Sequence, residues 1–460
     1  MCIICISTVT VASLLAPTSA IQSTPIVNEQ KNQTYEFTKT SCSKSNLNKI
    51  KKNKICLKNG KVYTWATKKE PVKIPIQTPE PTKTTAPTPT QVVMTYTSPS
   101  NPGLQVDVCK INEQSKVRGQ TGAGFPEWNS LTPKTGTVKW ALVPIDFTDI
   151  PGEVDFRSRV NNQMLLLSEW FETVSEGKFK VEWVVANKWT TLSGKSTDYE
   201  VEQSQNLDRS PIGLKIFEES MAKSDETFDY TGVQVVNFIL PLKQKNIKET
   251  VQGFPWDSAV KNYTTNEGKI SAFTMPGVFF NENNKGYWEY WAHEFGHSIG
   301  LPHIGGSRGI PIPFAKLDIM GDQSGPTKEL SGWLRFLARW IPDEKVYCQE
   351  QNNIKETEII LAPLSSSEQG IKMSIIKLSE SKALIIESRR TTKFSYSASW
   401  LNGVLVYVYD ATLGHNEEFL IPALKTDSSL LYQGDKVTIE GITVEVLLSK
   451  NFDKIKINKL

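Results

Sequence analysis

Histidine is scarce in this sequence, with four residues in 460, so a set of them at ligand spacing carries unusual weight. Long hydrophobic runs are equally rare. The one notable apolar stretch ends by about residue 16, and nothing later approaches the ~20 apolar residues of a membrane-spanning helix, which excludes a mature chain with transmembrane helices. The net charge of +3 is too small to point to nucleic acid as the main partner. No repeat of fixed period is present. What remains is 39% hydrophobic and 22% charged, a composition that supports buried cores and, at this length, two to four folded units.

Residues 1–20, MCIICISTVTVASLLAPTSA, join an apolar run to a small-residue end where Thr18 and Ala20 flank a cleavage position. They are read as a secretory signal, although no Lys or Arg precedes Lys31. Removal of that segment takes Cys2 and Cys5 with it and leaves Cys42, Cys56, Cys109 and Cys348. An even number in a secreted chain favours disulfides. Cys42 and Cys56 enclose a short loop and are expected to pair, which leaves Cys109 for Cys348; spacing alone leaves free thiols open.

Between Cys42 and Lys73 stand ten lysines against one acid, Glu70, so the rest of the chain carries a net charge of −6. Most of these lysines fall in a small Lys-rich, Cys-containing module, 30–66, and the basic stretch is a separate electrostatic object: a solvated surface, or a docking face for an anionic cell-surface polymer or lipid. Residues 67–103 follow as a Pro/Thr-rich linker, with eight prolines over 71–102 that favour extended polyproline conformations. From 104 to 345 the pattern is mixed α/β. A buried strand is expected at 138–147, a helix over 156–174, strands at 179–185 and 233–240, and a helix from Pro211 to Ala222. Residues 269–280 read either as an edge strand to which an extended substrate adds or as an internal core strand. From 346 to 460 short β-rich runs separated by polar turns suggest an antiparallel sandwich of ~100 residues.

Three of the four histidines fall in HEFGHSIGLPH, residues 293–303, which contains H-E-x-x-H-x-x-G-x-x-H. On a helix, His293 and His297 lie ~40° apart and one turn along, so both imidazoles reach one ion. Glu294 projects ~100° from His293 and is placed to take a proton from a polarised water rather than to ligate. A continued helix would carry His303 to the opposite face. Gly300 can adopt the left-handed conformation that ends a helix, and Pro302 keeps Leu301 from helical angles, so the chain turns and brings His303 back. Three imidazoles with an open position suit zinc. Met320, in DIMG (318–321), is a candidate for the methionine turn beneath a metzincin zinc site. His415 reads as a surface residue with no assigned role.

With these motifs the chain resembles the secreted bacterial zinc metallopeptidases of the immune inhibitor A family, which are metzincin-like. The likeness covers about 136–450 and rests on VKWALVPIDFTDIP, LSEWFETVSEGKFKVEW, the histidine helix, DIMG and IIESRRTTKFSYSASWLNGVLVYVYD. It implies a zincin-type α/β (α+β) catalytic domain followed by a β-sandwich-like domain, with His293, His297 and His303 as zinc ligands and Glu294 as general base. Many relatives carry an acid where His303 stands. The wider group also has calcium sites, and the acid-poor loop Asn281 to Gly286 is the place to look for one here. The segment from Cys42 to Trp65 looks like small modules of actinobacterial envelope proteins. The activity implied is peptide hydrolysis by a secreted or envelope-associated enzyme acting on proteins or peptides. The alternatives are a non-catalytic envelope-binding protein and a zinc amidase on the same scaffold. Arg308 and several tyrosines are available to stabilise an oxyanion, and the sequence does not choose among them.

Overall fold

The computed structural model describes residues 35–41, 43, 50–51, 54–59, 62–68, 99–100, 102–116, 121–130, 132–199, 211–248, 251–253, 264–278, 287–305, 313–395, 398–424 and 428–460. The expected signal segment, Cys42, the loop 281–286 and Arg308 lie outside these residues, and with Cys42 goes the expected Cys42–Cys56 pairing. The chain divides into two compact units, residues 1–92 and 93–460. In the first, strands Tyr35–Ser41, Val62–Lys68, Lys54–Asn59 and Ile50–Lys51 pair in that order, all antiparallel.

The second unit is mixed α/β. It opens with β1 (Gly136–Asp146), α1 (Phe156–Val174) and β2 (Phe179–Val185), a crossover that leaves β1 and β2 parallel. Asp155 caps α1 by accepting the Ser158 N–H at 3.1 Å, and Val160, Leu167, Trp170, Phe171 and Val174 form its buried stripe. After α2 (Pro211–Asp225) come β3 (Val233–Ile239), β4 (Val251–Gly253), β5 (Ala272–Met275) and then α3 (Tyr287–Ser298). The sheet order is β2-β1-β3-β5-β4, parallel except for the β5–β4 pair. The edge-strand reading of 269–280 is therefore corrected. β5 is only four residues long and wholly buried, because β4 supplies an antiparallel partner on its open side.

α3 rests on this sheet through Phe295, whose ring centroid lies 5.0 Å from those of Trp140 and Phe171 and 4.8 Å from that of Phe179. Burying such a ring stabilises by about 2 kcal/mol. It also sets the helix's rotation. Residues two positions either side of Phe295 lie ~200° away, so His293 and His297 must face away from the sheet.

A short α4 (Gly332–Leu337) leads to the β-rich region. There β6 (Val346–Glu350), β8 (Met373–Lys377), β9 (Lys382–Arg389), β10 (Gly403–Asp410) and β11 (Leu420–Pro422) form one sheet, with β12 (Leu430–Leu431) also paired to β10. β7 (Thr357–Leu361), β15 (Asp453–Lys459), β14 (Ile442–Ser449) and β13 (Lys436–Ile439) form the other in that order. Among the described strands the expected all-antiparallel pattern fails at one pair: β6 pairs parallel with β8. Between them the chain crosses to give β7 to the second sheet, and a strand reached by crossover returns in the same direction.

β10 explains why this region does not stand apart. Val404, Val406 and Val408 pack toward the second sheet, while Leu405, Tyr407 and Tyr409 join the same hydrophobic cluster as Phe295, Trp291 and Met320. Residues on both sides of position 345 thus share one core. The Cys109–Cys348 disulfide, with Cα atoms 5.9 Å apart, ties the turn Val106–Cys109 to β6. Among the described residues no helix is long and apolar enough to cross a membrane.

Candidate metal centre

α3 carries His293, Glu294 and His297, all about 95% buried. Its end follows from Gly300, whose φ of +94° is left-handed. The Leu301 N–H bonds the Gly296 carbonyl at 2.8 Å and the Gly300 N–H the His297 carbonyl at 2.9 Å, the paired bonds of a Schellman cap. A Cβ on residue 300 would lie 2.6 Å from Trp128 Cβ, so the position requires glycine on steric grounds as well.

The reversed chain brings His303 back to the helix. Its Nε2 lies 2.8 Å from His293 Nε2 and 3.0 Å from His297 Nε2. The other nitrogen of each ring faces an oxygen: His293 Nδ1 meets the Ile319 carbonyl at 2.8 Å, His297 Nδ1 the Leu301 carbonyl at 2.8 Å, and His303 Nδ1 the Asn416 Oδ1 at 3.1 Å. These oxygens can only accept, so each Nδ1 carries the proton and each Nε2 presents a lone pair. Three lone pairs directed at one point repel unless a cation lies among them. Burial favours the neutral rings this requires, pushing His293 down to about 4 and His297 well below its usual value. Three nitrogen donors oriented by outer oxygens are the donor set of a divalent metal such as zinc. Among the described residues, these three histidines are the group able to hold an ion, and Glu294 stands outside it.

The segment DIMG forms the floor. Met320 is buried, and its Sδ lies 2.5 Å from where a Cβ on Gly296 would be, so it fills the gap between the turns that carry His293 and His297. Asp318 shapes the turn, with Oδ1 accepting the Met320 N–H at 2.8 Å and Oδ2 the Ser331 N–H at 2.6 Å; burial pushes its carboxyl up to about 6. The β-rich region supports this loop from below. Arg389 on β9 donates to the Leu317 carbonyl at 3.1 Å and bonds Glu387, which accepts the Gly332 N–H at 2.7 Å.

His415 is a correction. It is half-buried rather than on the surface, with its ring centroid 5.2 Å from that of His303 and 6.0 Å from that of His297. Its Nδ1 accepts the His303 backbone N–H at 3.3 Å and lies 3.0 Å from Thr121 Oγ1. Sequence reasoning also missed the Ile319 carbonyl and Asn416. The first is a backbone atom, and the second sits in an ordinary turn sequence 113 positions from its partner, so neither leaves a local signal.

No family model matches the sequence, and neither does any curated protein. Among solved structures, wild-type OgpA from Akkermansia muciniphila is similar at 12% identity, covering 71% of this chain and 94% of that one, with a TM-score of 0.28. Archaemetzincin from Methanopyrus kandleri is similar at 14% identity over 45% of this chain and 89% of its own, with a TM-score of 0.19. Catalytically inactive OgpA in complex with an O-glycopeptide substrate gives 11%, 74%, 97% and 0.24. The case for function therefore stands on the geometry of the histidines.

Proposed function

We propose that this chain is a zinc-dependent endopeptidase. The observation that carries the reading is the convergence of three Nε2 atoms whose Nδ1 partners fix every lone pair inward, with Glu294 one residue along the same helix. When bound, zinc supplies Lewis-acid polarisation of the scissile carbonyl and of water. His293, His297 and His303 hold the ion. Glu294 takes a proton from the attacking water as its oxygen bonds the carbonyl carbon, then passes that proton to the departing amine nitrogen as the C–N bond breaks.

The reading extends to an extracytoplasmic location, supported by the apolar segment 1–20 and by a disulfide of the kind that persists in oxidising compartments. The excess of ten lysines over one acid between Cys42 and Lys73 suits either a solvated surface or a docking face for an anionic cell-surface polymer or lipid. Incubating the purified full chain with a peptide library tests the activity. Internal cleavage that stops on chelation and returns with zinc is expected; a library left intact with zinc present contradicts the assignment.

A further inference from the structure

The third histidine raises a question that the first two do not. His293 and His297 are fixed by a buried helix, whereas His303 lies beyond the helix end on irregular chain and is the least buried of the three. Its support comes from the turn between β10 and β11. The His303 N–H donates to His415 Nδ1 at 3.3 Å, the Asn416 N–H to the His303 carbonyl at 3.2 Å, and the Gly305 N–H to the Glu417 carbonyl at 3.0 Å. Residues 303–305 thus run beside 415–417, and Ile304 and Glu417 form a parallel bridge.

The turn is itself braced. The Gly414 N–H donates to Glu417 Oε2 at 2.8 Å and the Glu417 N–H to the Gly414 carbonyl at 2.9 Å. Within it Asn416 has φ +65°, a left-handed conformation that asparagine adopts more readily than most residues. The same side chain receives the His303 Nδ1–H. One residue therefore meets a backbone requirement and supplies the acceptor that a histidine ligand needs on its outer nitrogen.

We infer that Asn416 is a positioning residue for the metal centre: it holds His303 in the tautomer and ring orientation that point Nε2 at the ion, so the β-rich region completes the site. Without that acceptor the Nδ1 proton loses the partner that holds it there, and a proton carried on Nε2 instead blocks ligation. The inference rests on the proposed zinc site. It goes beyond that proposal by assigning part of the affinity to a side chain 113 positions from the nearest ligand.

Two full-length variants separate the side chain from the backbone. Asn416→Gly tolerates φ +65° and lacks the acceptor, while Asn416→Asp keeps an acceptor and also tolerates the conformation. Zinc affinity is measured by competition with a chromogenic chelator, the coordination sphere by the visible spectrum of the cobalt-substituted protein, and the fold by melting of the metal-free protein. The expected result for Asn416→Gly is zinc binding weakened about 10- to 100-fold with a changed cobalt spectrum and wild-type melting of the metal-free form. Asn416→Asp should stay within about threefold of wild type. Equal zinc affinity in wild type and Asn416→Gly overturns the inference alone, as does an equal loss in both variants. A wild-type protein that binds no zinc overturns the metal-site reading as well.

Discussion

Glu294→Gln is expected to retain zinc, melt as wild type does and lose peptide cleavage by about 10²- to 10⁴-fold, the usual range for general acid–base assistance. The residue is buried on α3 beside a proposed ligand, yet stands outside the converging nitrogens. Glutamine keeps the size and a hydrogen-bonding oxygen and removes only the basic carboxylate, so the substitution isolates proton transfer from metal binding. Zinc content, thermal melting and turnover are read on one preparation. Wild-type cleavage by the variant would remove Glu294 from the mechanism, and loss of zinc would make it a ligand or a structural support.

The second large effect is expected at Gly300. A methyl group there faces the left-handed backbone, at about 1–2 kcal/mol, and collides with Trp128, an overpacking term of about 1–3 kcal/mol. Gly300→Ala should therefore destabilise the second unit by roughly 2–5 kcal/mol. The consequence reaches the metal, because the cap that fails is the one that returns His303 to the helix. Weaker zinc binding should accompany the lower melting temperature in chemical and thermal denaturation. A variant that melts within about 1 °C of wild type would show that the turn absorbs the added methyl group without strain.

Much of this region was legible because its determinants are local. The helix expected over 156–174 forms over Phe156–Val174, and the strand expected at 179–185 forms over Phe179–Val185, each set by side-chain periodicity within one segment. In the site, the i, i+4 histidines and the Gly-Leu-Pro interruption state both the helix and its end within eleven residues. What escaped is non-local. The partner that removes β5 from the sheet edge is the three-residue β4, too short for any periodicity to declare it. His415 and Asn416 join the site through a turn whose sequence resembles many surface turns, and the parallel β6–β8 pair depends on where the intervening strand goes. The shared core of β10 and α3 was hidden for a related reason. A strand buried on both faces reads as a plain apolar run, without the alternation that tells which neighbour each face meets.

The central claim is that three inward-facing Nε2 atoms hold one catalytic zinc, and elemental analysis tests it most directly. Wild type and His297→Ala are purified in parallel, dialysed against metal-free buffer and measured for zinc per chain, with melting curves to establish that both are folded. The account predicts near-stoichiometric zinc in wild type and almost none in folded His297→Ala. Zinc absent from folded, zinc-supplemented wild type, or present equally in both proteins, would contradict it.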